Sequence, residues 1–223
     1  MIFYPIKKLV AAGITDILIV TGTEHMGDFI SLLGSGKDFD CALTYRVQDE
    51  AGGIAQALAL AERFTGGQPM CVMLGDNIFE SSISEMIQQF AADPNSAHIL
   101  LKEVPDAERF GVAELEESGE NARSFDGLRT GSTRVKQIIE KPEVPPSNFA
   151  VTGVYCYPPD VFDIIRTLTP SKRGELEITD VNNNYLANGR LRASVVEGYW
   201  SDAGTFPSLA RANELVRQSA PQY

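Results

Sequence analysis

Met70-Cys71-Val72-Met73-Leu74-Gly75-Asp76-Asn77 decides the fold class. Five apolar residues in a row, of strand length, read as a strand covered on both faces. The glycine, acid and amide that follow stand at its carboxyl edge, where open α/β sheets bind their ligands. Working back toward the amino terminus, Asp16-Ile17-Leu18-Ile19-Val20-Thr21 is a second buried run. A helix precedes it: Ile6, Leu9 and Val10 recur at helical spacing through Ala12, and Gly13 supplies the stop. Between the two runs, Ala42 to Tyr45 reads as a strand and Gly53 to Phe64 as a helix. This alternation predicts a doubly wound, Rossmann-like α/β fold whose mixed sheet is mainly parallel and flanked by helices.

Beyond Asn77, Ser82 and Glu85 have capping-box spacing ahead of a helix to Ala92, and Ala97 to Leu101 returns to strand. After Pro105 the pattern changes. Strands are predicted over Val112 to Leu115, Val135 to Glu140, Ala150 to Tyr157 and Ala193 to Val196, and helices over Pro159 to Leu168, Ile178 to Asn188 and Thr205 to Gln218. The polar, Gly/Ser-rich stretch from Glu116 to Ser132 reads as an exposed excursion. One domain over 1–223 is expected, with a first half over 1–104 and a second over 105–223. Doubly wound sheets usually begin with a strand, whereas Met1 falls almost at the start of a helix, so either the fold begins unusually or a first strand and its following loop are missing.

The composition suits one globular core: 43% of the 223 residues are apolar and 22% charged. With 30 acidic against 19 basic side chains the formal charge is −11, which repels nucleic acid and anionic membrane surfaces alike. Cys41, Cys71 and Cys156 are odd in number and lie in or beside apolar runs, as reduced core cysteines do. No apolar run reaches membrane-span length and no signal peptide is evident, so a cytoplasmic protein with no membrane partner is expected.

Five constellations carry candidate chemistry. Asp76 and Asn77 form either a ligand edge or a turn capping the next element. Asp202, in Trp200-Ser201-Asp202-Ala203-Gly204-Thr205, reads alone as a helix cap; paired with Asp76 it becomes a second carboxylate for Mg²⁺, which takes one or two protein carboxylates plus phosphate oxygens. Glu140-Lys141-Pro142 ends a strand with a carboxylate for sugar hydroxyls and an ammonium for phosphate, or simply with a solvated ion pair. In Ser171 to Asp180 the acids suit a helix N-terminus, which leaves Arg173 without a structural partner and suggests a phosphate. Gln48 and the paired glycines Gly52 and Gly53 form a loop that either approaches a flat base or merely opens a helix. His25 and His98 have no acid or thiol at motif spacing.

Taken in order, Tyr45 to Ala57, Leu74 to Asn77, Arg109-Phe110-Gly111-Val112, Glu140-Lys141-Pro142, Ala150-Val151-Thr152-Gly153, Arg173 to Asn182 and Trp200 to Thr205 resemble the sugar-1-phosphate nucleotidyltransferases over essentially the whole chain. The thymidylyltransferases of short form are the most similar branch. The resemblance implies that Asp76 and Asp202 hold Mg²⁺, that Gln48, Gly53 and Asp76 bind the nucleotide, and that Asn77, Gly111, Glu140 and Val151 line the sugar pocket. Lys141 and Arg173 would hold the sugar phosphate and, with the two aspartates, form the catalytic set. The implied substrates are dTTP and glucose-1-phosphate, in a homo-oligomeric enzyme of rhamnose-type deoxysugar synthesis. Members open with a strand and a G-G-x-G-T-R-L loop ahead of the position of Met1. A chain lacking that loop is expected to turn over poorly, which leaves a non-catalytic sugar-phosphate binder as the rival reading. The carboxy-terminal extension of longer, feedback-regulated members is likewise not in the sequence.

Overall fold

A computed structural model describes residues 1–116 and 134–219. The predicted exposed excursion lies outside them except for Glu116. The chain opens with helix α1 (Phe3–Ala11), whose Ile6 and Leu9 are buried one turn apart. Gly13, at φ +86°, makes the left-handed exit that an L side chain resists. Strand β1 (Asp16–Gly22) pairs in parallel with β2 (Ala42–Gln48) across α2 (Met26–Leu33). The predicted helix over Gly53 to Phe64 is two short ones, α3 (Ile54–Ala59) and α4 (Glu62–Thr65). The N–H groups of Leu60 and Ala61 reach back only three residues, which tightens the turn between them.

Strand β3 (Met70–Met73) leads to β4 (Asn77–Phe79), α5 (Ser84–Ala92) and β5 (Ala97–Glu103). The Ser82 hydroxyl accepts from the N–H of Ser84 rather than that of Glu85, so the start of α5 is an Ser turn and not the predicted capping box. The second half runs β6 (Gly111–Leu115), β7 (Val135–Glu140), β8 (Phe149–Tyr157), α6 (Val161–Thr167), α7 (Ile178–Ala187), β9 (Leu191–Val195), β10 (Trp200–Asp202) and α8 (Phe206–Ser219).

The largest sheet has the order β7-β6-β8-β5-β9, with β3 on β8. Its pairings correct the expected mainly parallel sheet. Only β5 with β9 is parallel there, because β8 enters between β3 and β5 and runs antiparallel to both. A second correction concerns burial. Met70–Met73 is half-buried along its length, and of β1 only Ile17 and Ile19 are buried, where full cover on both faces was expected. Among the described residues β1 pairs only with β2, and β3 only with β8.

Helices cover both faces. On one, Ala55, Leu58, Phe162, Ile165, Val181 and Tyr185 of α3, α6 and α7 meet Ile99, Leu101 and Tyr155 of the sheet. On the other, Ile6 and Leu9 of α1 and Met86 and Phe90 of α5 meet Leu100, Val154 and Cys156. Cys41 and Cys71 are half-buried and Cys156 buried, and all three are free thiols. No helix among the described residues is long and apolar enough to cross a membrane.

Candidate active site

Two three-residue strands that sequence reasoning missed bring the acids together. β10 pairs antiparallel with β4, placing Asp202 opposite Asn77. Segments this short carry no readable periodicity. The N–H of Ala203 donates to the carbonyl of Asp76 at 2.8 Å, and a Cβ on Gly204 would stand 3.0 Å from Asp76 Oδ2. A side chain there would press on that carboxylate.

Asn77, expected at the sugar pocket, is 2% exposed, and its side-chain amide is engaged within the protein. Its Oδ1 accepts from the N–H of Gly153 (2.9 Å) and the indole of Trp200 (2.7 Å), and its Nδ2 donates to Asp76 Oδ1 at 2.8 Å. A Cβ on Gly153 would meet the Asn77 amide at 2.6 Å. Asn77 is thus a buried strut that orients Asp76.

Asp202 is held from the other side. Arg109, in the turn Ala107–Arg109, donates from one guanidinium nitrogen to Asp202 Oδ2 (2.9 Å) and from the other to Asp106 Oδ2 (2.7 Å). Burial and the charge of Asp76 push the Asp202 carboxyl above its ordinary value, and Arg109 opposes them. Two neighbouring carboxylates are hard oxygen donors that a cation would bring together, which fits Mg²⁺ chemistry. No group of three or more His, Cys, Asp or Glu side chains among the described residues offers an alternative metal cage.

Residues expected at the sugar phosphate gather at the start of β6 and the end of β7, where Gly111 lies opposite Glu140. A Cβ on Gly111 would fall 3.0 Å from Thr179 Oγ1 and 3.4 Å from Glu140 Oε2, so the glycine keeps this recess open. Thr179, buried near the start of α7, donates its hydroxyl to Glu140 Oε2 at 2.6 Å. Sequence reasoning passed over it, although it stands inside the acidic block around that helix start. Lys141 follows β7 exposed and at φ +41°, a left-handed conformation that costs a lysine energy and marks it as a held position. Val151 is buried in β8 and contributes packing more than surface.

Arg173 does have structural partners, contrary to expectation. It donates to Glu177 Oε2 at 2.8 Å, to Glu175 at 3.2 Å and to Glu140 at 3.4 Å. Burial raises the Glu177 carboxyl, but hydrogen bonds from Arg173 and Ser171, with the charge of Lys141, hold it below the ordinary range. Lys141, Arg173, Glu140 and Glu177 therefore form one mixed cluster, in which a phosphate would have to compete with glutamates. One segment links the cluster to the acid pair: Arg109, bound to Asp202, stands two residues before Gly111, which lies opposite Glu140.

On the nucleotide side, Gln48 Nε2 donates to Gln56 Oε1 (2.7 Å) and to the Gly53 carbonyl (3.3 Å). Gly53, at φ +94°, approaches backbone rather than open space, since a Cβ there would be 2.5 Å from the Leu176 carbonyl. The Leu176 N–H in turn donates to the Gly52 carbonyl at 2.8 Å, stapling this loop to the second half.

The model of the family described as nucleotidyl transferase matches residues 1–219. The chain belongs to this family. It is 40% identical to the glucose-1-phosphate thymidylyltransferase of Neisseria meningitidis over 97% of its length and 72% of the relative's. Identity to the protein of that name from Xanthomonas campestris is also 40%, over 97% of this chain and 70% of the other. A candidate glucose-1-phosphate thymidylyltransferase from Bacillus anthracis, crystallised with sucrose, superposes with a TM-score of 0.86 at 48% identity, covering all of this chain and 84% of that one. A UDP-glucose pyrophosphorylase bound to UDP-glucose superposes at 0.80 with 24% identity, over 98% of this chain and 87% of the other, a likeness of fold.

Proposed function

We propose that this nucleotidyl transferase moves thymidylate from dTTP to glucose-1-phosphate, giving dTDP-glucose and pyrophosphate, with Mg²⁺ as its cation. The observation that carries the reading is the meeting of Asp76 and Asp202 where β4 pairs with β10, with Arg109 on Asp202 two residues before Gly111, the strand partner of Glu140 in the cluster with Lys141 and Arg173. The names of the similar thymidylyltransferases support the choice of substrates.

Asp76 and Asp202 would hold the cation, which when bound supplies charge neutralisation and Lewis-acid polarisation at phosphate oxygens. Asn77 and Trp200 fix the first of these carboxylates through a buried hydrogen-bond chain. Lys141 and Arg173 grip the phosphate of glucose-1-phosphate, and Glu140, aimed by Thr179, accepts from hexose hydroxyls. The sugar-phosphate oxygen then attacks the α-phosphorus in line as pyrophosphate leaves. Such a transfer needs little from the protein beyond placing two anions and offsetting their repulsion. Glutamates release Arg173 as the phosphate arrives, because a dianion is the stronger partner for its fork. Gln48 and Gly53 line the approach to the base.

The test is product formation. The protein, incubated with dTTP, glucose-1-phosphate and Mg²⁺, should yield dTDP-glucose and pyrophosphate in equal amounts, with UTP and other hexose-1-phosphates poorer. Calorimetric binding of glucose-1-phosphate with neither product formed would favour a non-catalytic binder instead.

A further inference from the structure

The two acids are joined by a continuous path of side chains whose far end, at Phe110 and Arg109, has no part in the proposed reaction. From Asp76 it runs through the Asn77 amide to the Trp200 indole. The Trp200 ring lies 5.0 Å from that of Phe110, and the guanidinium of Arg109 stands over the Phe110 ring at 5.0 Å before closing on Asp202. Arg109 is at once the end of this path and a bidentate bridge, one arm on Asp202 and one on Asp106. Its side chain is 40% exposed and that of Asp202 26%, so water reaches the contact and exchange of partners needs no unfolding.

We propose that Arg109 is a latch on the acid pair: its guanidinium spans Asp202 Oδ2 and Asp106 Oδ2, and a divalent cation binds by taking the Asp202 oxygen and leaving the guanidinium to Asp106 alone. This rests on the reading of Asp76 and Asp202 as the cation site. The physical case is one of charge and geometry. Asp76 and Asp202 repel one another when no cation lies between them, and a guanidinium hydrogen-bonded to one of them offsets that repulsion. The same contact removes an oxygen that a cation needs and sets a positive charge beside it. Asp106 gives the displaced guanidinium a second carboxylate, and the Phe110 face supports it during the move. The arrangement makes Arg109 a positioning residue whose effect is read in cation affinity.

The experiment is Mn²⁺ binding, followed by the electron paramagnetic resonance of the free ion, in the intact protein and in R109Q, D106N and D202N. D202N removes the strongest Mn²⁺ site if the acid pair is the cation site. R109Q should then bind Mn²⁺ about tenfold more tightly, the worth of one charge-assisted hydrogen bond. D106N, which leaves the guanidinium only Asp202 to hold, should bind it more weakly. These opposite signs are not expected of two merely structural substitutions. Loss of the site in D202N with unchanged or weakened affinity in R109Q overturns the latch and leaves the cation site standing. Retention of the site in D202N overturns the cation site and the latch with it. Should R109Q fail to fold, D106N decides alone: weaker binding supports the latch, and unchanged or tighter binding overturns it.

Discussion

The pair β1–β2 and the sheet built on β8 solve the same problem differently. β8 is hydrogen-bonded to β3, β5 and β6, and every residue from Ala150 to Tyr157 is buried. β1 has one bonded neighbour and two buried residues. Even so, both regions feed the same two cores. Ile17 and Ile19 join Cys71 and Met73 on one side, while Leu18 joins Val72 and Leu74 on the other. Packing without a backbone ladder therefore holds β1–β2 to the body. Gly111 and Glu140 stand on the laddered part, and the acids stand on and beside the separate strand pair β4–β10. Gln48, at the end of β2, stands on the loosely tied part and is anchored by the staple between Gly52 and Leu176.

The largest expected effect would come from emptying the laddered core. Leu101→Ala, at a fully buried position, should cost about 2–5 kcal/mol in urea unfolding, whereas Leu18→Ala in half-buried β1 should cost about 1 kcal/mol. Equal costs would erase the contrast between the regions. Hydrogen exchange sharpens it, with the amides of β1 expected to exchange well before those of β8. Next, Asp202→Asn should lower turnover on the order of a hundredfold or more while leaving the unfolding midpoint unchanged, since it alters cation binding and not packing. A lost midpoint with normal turnover would take Asp202 out of the chemistry.

Thr179→Val is a smaller change. It removes the hydroxyl donor from Glu140 and should weaken glucose-1-phosphate binding about tenfold in calorimetry, the worth of one hydrogen bond to a charged group. The least effect is expected from acid. The folded state holds the Glu177 carboxyl low, so its contribution is full above the ordinary carboxylate range and is lost as pH falls through the depressed value. The unfolding midpoint should drop with pH in that window, and Arg173→Gln should flatten the drop. An unchanged slope in that variant would show that the ion pair does not stabilise the body.

Much of this architecture was legible because its elements are long and periodic. The apolar spacing of Ile6 and Leu9, the runs at Ile17 and Met70 and the block from Ala150 to Tyr157 all fall where periodicity placed them. Strand direction was not legible, since nothing in Phe149–Tyr157 announces that it enters antiparallel between β3 and β5. Nor were the three-residue strands that join Asp76 to Asp202, because pairing so short is decided by tertiary contact. The roles of Asn77 and Arg173 changed on seeing their partners. The sequence names a polar residue at a strand end but not whether its hydrogen bonds are already taken, and Thr179 and Arg109 were overlooked for the same reason.

The central claim is that a cation between Asp76 and Asp202 lies beside the phosphate held by Lys141 and Arg173. The phosphorus resonance of glucose-1-phosphate, recorded with the protein and substoichiometric Mn²⁺, tests it most directly. Strong broadening in the native protein that disappears in Asp202→Asn, with sugar-phosphate binding retained, is the predicted result. Bound glucose-1-phosphate whose resonance is broadened equally in both proteins would contradict it.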